Sequence, residues 1–179
     1  MLFRSILSFD LSTLPKDYIV VANVPYYITS KIVQLLSESH NPPKRAILLV
    51  QKEVAERIAA GPGDMSVLGI SAQVYAETSL GQLVPAEYFT PPPKVDSQVV
   101  VLKRRASPLF GDVAEKQFFR IVKAGFSERR KKLRSSLSGG LCIDKTAVDS
   151  LLQELTISQD ARAQELSIAD WVQLSKALQ

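Results

Sequence analysis

Apolar positions alternate between two spacings along the first hundred residues. Ile19–Ala22 is a short continuous apolar run, the pattern of a buried strand. From Thr29 to Ser39, Ile32, Val33, Leu35 and Leu36 recur at helical spacing, with Thr29 or Ser30 placed to cap the start. Arg45–Val50 is a second apolar run and reads as a central strand. Gln51–Ala60 reads as a helix stopped by Gly61-Pro62-Gly63, and Ser66–Ala76 as another. Ser79–Val84 and Gln98–Lys103 read as two further strands. This alternation predicts an α/β layer with helices on a largely parallel sheet.

The pattern changes after Lys103-Arg104-Arg105. Residues 106–112 have linker composition, and beyond them the periodicity is helical: Ala114–Gly125, Glu128–Leu137, Lys145–Glu154 and Ser167–Leu178. Asp144 and Ser167 are placed as N-caps, and Ser138-Gly139-Gly140 as a helix stop. The predicted organisation is an α/β domain over 1–105, a linker over 106–112 and a small all-helical domain over 113–179.

Composition narrows the class. The 179 residues are 46% hydrophobic and 22% charged, as in a folded soluble protein. One cysteine, Cys142, excludes an internal disulfide and suits a reducing cytosol; it is expected to be a small, partly buried side chain. His40 sits alone in a helix-ending loop, and no Cys/His cluster suggests a metal. No apolar run reaches the about 20 residues that span a bilayer. The net charge of +4 is modest, so its distribution carries the information.

That charge is concentrated. Phe126-Ser127-Glu128-Arg129-Arg130-Lys131-Lys132-Leu133-Arg134 packs five basic residues, Arg129, Arg130, Lys131, Lys132 and Arg134, into six positions. On the predicted helix Arg130 and Arg134, four residues apart, share a face. Such a face is either simply solvated or a phosphate-binding surface; the density favours nucleic acid. Lys103, Arg104, Arg105, Arg120 and Lys123 could extend it.

Two further segments suggest what is done to that nucleic acid. Asn23-Val24-Pro25-Tyr26 closes the first strand. An Asn amide offers an acceptor and donors, Pro fixes nearby backbone, and Tyr supplies a flat ring. Taken alone such a cluster is more often just a turn at a strand end, but together these groups could hold an adenine amino group by its hydrogens and leave its lone pair free. Tyr88-Phe89-Thr90-Pro91-Pro92-Pro93-Lys94-Val95-Asp96-Ser97 joins two strands. It reads as a rigid linker, as a proline-rich ligand, or as a stiff loop holding Phe89 for a second stack. Two rings around an extruded base are what base-modifying enzymes require.

These segments, with Gln51-Lys52-Glu53-Val54-Ala55-Glu56-Arg57-Ile58 and Arg162-Ala163-Gln164-Glu165-Leu166-Ser167, resemble the small-subunit ribosomal RNA adenine N6,N6-dimethyltransferase family from about Ile6 to Leu178. The resemblance implies a partial Rossmann-like methyltransferase sheet, its later strands only, followed by a helical RNA-contacting domain. It implies S-adenosylmethionine as methyl donor and a soluble cytoplasmic enzyme of ribosome biogenesis. Its partners would be small-subunit ribosomal RNA and the assembling small subunit. Carried over, Asn23 would accept from the target amino group near the methyl donor. The Pro25 region would add a carbonyl, and Tyr26 and Phe89 would stack on the adenine. Arg129, Arg130, Lys131, Lys132 and Arg134 would grip phosphates.

One departure matters. The family cradles its cofactor in a glycine-rich loop, but no Gly-x-Gly occurs here and all 8 glycines lie from Gly61 onward. The family's Gly-Asp pair is Arg4-Ser5 here. Three strands and their helices are expected to lie outside this sequence, so Ile19–Ala22 is expected to be left as an open apolar edge, and the chain alone to bind cofactor poorly and to be inactive. A separate N-terminal chain could complete it. The alternative is a non-enzymatic ribosomal RNA-binding assembly factor. Related enzymes that methylate large-subunit RNA share the Asn-x-Pro-Tyr motif, but Phe126–Leu137 and the helical tail fit the small-subunit enzymes better. A DNA adenine methyltransferase fits less well, because its Pro-Pro-aromatic motif differs from Asn23–Tyr26.

Overall fold

The computed structural model describes residues 5–128 and 130–178. They divide into two compact units, one within Met1–Ala59 and Ser71–Ala106, the other within Ala60–Ile70 and Ser107–Gln179.

The first unit is built on a four-stranded sheet. Its strands are β1 (Ile19–Asn23), β2 (Arg45–Gln51), β3 (Ala76–Val84) and β4 (Ser97–Arg104), in the order β1-β2-β4-β3. Helix α1 (Thr29–Glu38) is the crossover that makes β1 and β2 parallel. The excursion through α2 (Lys52–Ala59) and α3 (Val67–Gln73) leaves a one-strand gap between β2 and β3. β4 fills that gap antiparallel to both neighbours. The sheet is therefore mixed, not largely parallel: no α-helix lies between β3 and β4 to carry the chain back to the other end of the sheet.

One face of the sheet is buried along its centre, while Leu80 of β3, opposite Val100 on that face, is 45% exposed. Ala46, Leu48, Val50, Val100 and Leu102 are buried there, as are Ile32, Val33 and Leu36 of α1. On the other face Ile47, Leu49, Val99 and Val101 are half-buried. β1 is less buried than its apolar run alone suggests, and it stands at an open edge, as expected for a strand whose family neighbour lies outside this sequence. Val20 and Ala22 are half-buried but Ile19 and Val21 are 59% and 75% exposed. Helix α1 starts after a 3₁₀ turn, with Ile28 at the cap position; neither Thr29 nor Ser30 caps it.

The second unit is helical: α4 (Glu115–Gly125), α5 (Leu133–Leu141), α6 (Lys145–Glu154) and α7 (Ile168–Ala177). Phe118, Ile121, Leu133, Leu137, Leu152, Trp171 and Leu174 form its core. Asp144 caps α6 and Ser167 caps α7 in a reciprocal box with Asp170, as their positions predict. The expected stop at Ser138–Gly140 lies inside α5, which ends at Cys142 in the left-handed region. Gly140 is there for contact: a Cβ on it would sit 2.7 Å from the Ala124 Cβ, so α4 and α5 pass in near-backbone contact. Cys142 is exposed, not partly buried. Residues 60–70 were expected with the α/β part. They belong to the helical unit because the Gly63 and Met65 N–H groups both donate to the Gln164 carbonyl, at 2.9 and 3.1 Å. No described helix is long and apolar enough to cross a membrane.

Candidate base-binding site

The site grows from the C-terminal end of β1. The Val24 N–H donates to the Leu49 carbonyl at 3.0 Å, and its side chain is buried, so the chain stays pinned to β2 just past Asn23. Pro25 then turns the backbone into the 3₁₀ turn Tyr26–Ile28. The Pro25 carbonyl accepts from the Ile28 N–H at 3.1 Å and the Thr29 hydroxyl at 3.4 Å, which engages it within the turn. Asn23 is left exposed at the strand end.

The opposite wall comes from the segment between β3 and β4. It holds a second 3₁₀ turn, Ala86–Tyr88, then Phe89 and a cis Thr90–Pro91 peptide. The Asp96 carboxylate accepts from the Ala86 N–H at 3.0 Å, and its carbonyl accepts from the Lys52 N–H at 3.0 Å. Asp96 thus closes the loop and ties it to the start of α2. The two walls meet in one bond: the Tyr26 and Ser97 hydroxyls are 2.8 Å apart, and Ser97 is buried. Asn23, Val24, Pro25, Tyr26, Phe89, Pro91 and Pro93 line a single cavity of about 280 Å³. The four residues singled out in sequence, Asn23, Pro25, Tyr26 and Phe89, therefore face one space.

Ser97 and Asp96 were not singled out. Their signal was available: a polar pair closing a proline run immediately before an apolar strand must satisfy the loop's backbone or another side chain.

The basic cluster differs from its expectation. Arg129 lies outside the described residues. Arg130, Lys131 and Lys132 precede α5 rather than lying on it, in a turn closed by the Lys131 N–H donating to the Glu128 carbonyl at 3.0 Å. The helix begins only where the Leu133 N–H donates to the Ala161 carbonyl at 2.8 Å, a tertiary bond that local propensity cannot foretell. Arg130 and Arg134 therefore do not share a helix face. Arg134 makes a half-buried ion pair with Asp149 at 2.7 Å. Lys131 pairs with Glu128 at 2.6 Å and Lys132 with Asp160 at 2.5 Å. The Lys132 hydrogen bond and charge hold the Asp160 carboxyl below its ordinary range. Arg130 is exposed, with no ion pair among the described residues.

A family model for ribosomal RNA adenine dimethylase matches residues 5–179. The chain belongs to that family. Among curated relatives, ribosomal RNA small subunit methyltransferase A of Dehalococcoides mccartyi strain CBDB1 is 40% identical, covering 96% of this chain and 62% of its own length. The namesake from Bacillus cytotoxicus is 40% identical over 168 residues, covering 91% of this chain and 58% of its own. The chain thus spans about three-fifths of these relatives. The crystal structure of the 23S rRNA methyltransferase ErmE superposes with a TM-score of 0.73 at 25% identity, covering 97% of this chain and 69% of that one. A dimethyladenosine transferase from Plasmodium falciparum shares the fold, with a TM-score of 0.76 at 24% identity and 96% and 69% coverage. A methyltransferase-type α/β fold is thereby shown for this family member.

The family resemblance implies S-adenosylmethionine, and the residues present do not fit it. The cavity of about 280 Å³ is lined by Asn23 and Tyr26 as its polar side chains and otherwise by Val24, Phe89 and prolines, with no charged group among these described residues to meet the donor's ammonium, carboxylate or ribose. That suits one planar base, not a base together with a nucleoside-sized donor. A larger hollow of about 500 Å³ between residues 7–12 and the outer side of α1 shares no residue with the first. Among the described residues no group of three metal-ligating side chains occurs.

Proposed function

We propose that this chain is the acceptor-binding and RNA-gripping part of an S-adenosylmethionine-dependent enzyme. That enzyme dimethylates adenosines of small-subunit ribosomal RNA during cytoplasmic ribosome maturation. Activity requires a cofactor-cradling segment that these 179 residues do not supply, as part of a longer chain or as a separate one. The observation that carries the reading is the shared cavity, with an amide at its strand end and an aromatic ring on each wall. In it, Tyr26 and Phe89 sandwich an adenine taken out of its stack. The Asn23 amide oxygen and a backbone carbonyl of the Val24–Pro25 segment accept the two amino hydrogens. Both amino hydrogens are then engaged and the nitrogen lone pair is left free. Partial positive charge that develops on this nitrogen meets two fixed acceptor dipoles. None of the lining side chains is a strong base, which suits direct transfer to the amino group. In the completed enzyme the cofactor would supply the methyl, leaving as its neutral thioether, and the amino proton would pass to water. Arg129 and Arg130, with Lys131 and Lys132 after exchange of their carboxylate partners, neutralise phosphates.

The poor fit to a cofactor favours one second reading, a ribosomal RNA-binding assembly factor without catalysis. Calorimetric titration with S-adenosylmethionine, alongside RNA binding at two salt concentrations, separates the two. No cofactor binding by this chain, salt-sensitive RNA binding, and methylation restored by a relative's N-terminal segment are the expected results. Failure of the restored protein to bind cofactor would leave the assembly-factor reading. RNA affinity indifferent to adenosine and to Phe89→Ala would remove the base site altogether.

A further inference from the structure

Tyr27 and Tyr88 are the two most exposed large aromatic side chains among the described residues, at 86% and 74%. Neither is in a ring pair there, and neither lines the cavity. A single exposed aromatic is unremarkable on a protein surface. These two differ in placement. Each adjoins one ring wall of the same cavity, Tyr27 after Tyr26 and Tyr88 before Phe89, far apart in sequence.

Local geometry explains why they stand clear. Successive side chains in a 3₁₀ turn diverge by about 120°. With Tyr26 held inward by Ser97, Tyr27 in the same turn is turned away from the wall. Phe89 follows its turn in extended backbone, so Tyr88 before it points elsewhere. Adjacent Cα atoms are about 3.8 Å apart. Each free ring is therefore rooted one residue from the clamp, within the span of one nucleotide.

Extruding a base removes a stacking partner from each neighbour. Aromatic side chains replace such stacks without regard to sequence. We propose that Tyr27 and Tyr88 are stacking shelves for the nucleotides flanking the extruded adenosine. The site then takes an unpaired RNA segment with bases on both sides of the target, rather than an isolated adenosine or a closed duplex. The proposal rests on the base-clamp reading above.

The test uses the full chain and two short unpaired RNAs with a central adenosine, one with ordinary flanking bases and one with abasic flanks. Binding is followed by fluorescence anisotropy. The native chain should prefer the base-flanked RNA by about five-fold or more, the lower end of one base–aromatic stack. Tyr27→Ala and Tyr88→Ala should each reduce that preference and leave affinity for the abasic-flanked RNA unchanged. Tyr27→Phe and Tyr88→Phe should keep it. Equal native affinity for the two RNAs, or a preference undiminished in both alanine variants, overturns the proposal. So does equal weakening toward both RNAs in those variants, which would mean a structural role. Phe89→Ala is the control for the underlying reading and should weaken both RNAs alike. If it changes neither, the clamp itself fails, a result distinct from failure of the shelves.

Discussion

The hydroxyl pair that joins the two walls of the base site gives a quantitative test. Tyr26→Phe keeps the ring but removes the 2.8 Å bond to Ser97, whose residue is 1% exposed. The buried Ser97 hydroxyl then has no described partner, and stability should fall by about 1–2 kcal/mol. Ser97→Ala is milder, about 0.5–1 kcal/mol, because the half-buried Tyr26 hydroxyl can turn to water. The double variant should cost no more than Tyr26→Phe alone, giving a coupling of about 1 kcal/mol. Thermal midpoints of a chain this size move by about 2–4 °C per kcal/mol, so the series is measurable by calorimetry or urea titration. RNA affinity should change only a few-fold in Tyr26→Phe, whose stacking face survives. Additive losses in the double variant would show that the two hydroxyls do not interact, and the account of how the walls are joined would be wrong.

Adjacent glycines in α5 should respond with opposite sign. Gly139 has open space around a Cβ, so Gly139→Ala should stabilise by about 0.5–1 kcal/mol. Gly140→Ala would press on the Ala124 Cα at 2.8 Å and should lose about 1–3 kcal/mol despite better helix propensity; urea midpoints decide it. The basic residues should also divide. Arg130→Ala should lower RNA affinity and flatten its salt dependence with folding intact, whereas Arg134→Ala should destabilise the fold by about 1–3 kcal/mol through the loss of Asp149. A salt slope unchanged in Arg130→Ala counts against phosphate contact there. Asp160, held low by Lys132, contributes a small stability that is complete above its ordinary value of 3.8 and is lost as pH falls below it. Asp160→Asn should therefore lower the thermal midpoint slightly at neutral pH and not in strong acid; an equal deficit at both would refute the pairing.

The order of strands and helices was legible because each apolar run is bounded by polar or glycine-proline breaks. Sheet direction was less so. Periodicity around β3 and β4 reports two strands, but only the lack of a crossover α-helix between Val84 and Ser97 says that they run antiparallel. The apolar run of β1 tells what a strand could bury, not whether a neighbour covers it; Val21 is open, and only the comparison with the family's strand order points to that open edge. Arg and Lys are good helix formers, so the basic run reads as helix from Glu128 onward. A carbonyl at Ala161, distant in sequence, decides where α5 begins. Asn23, Tyr26 and Phe89 stood out by chemistry and motif. Ser97 did not, because its role exists only once strands far apart in sequence have met.

β4 entering between β2 and β3 also sets a timetable. Tyr26 and Ser97 are 71 residues apart, so the first wall leaves the translating ribosome long before the strand that braces it. Until β4 is threaded, Phe89 has no fixed position and the Tyr26 hydroxyl has no anchor. Long-range pairing of this kind forms late and slowly. Assembly of the recognition surface is thus tied to completion of the sheet, and a nascent or partly unfolded chain presents rings and charge but no site.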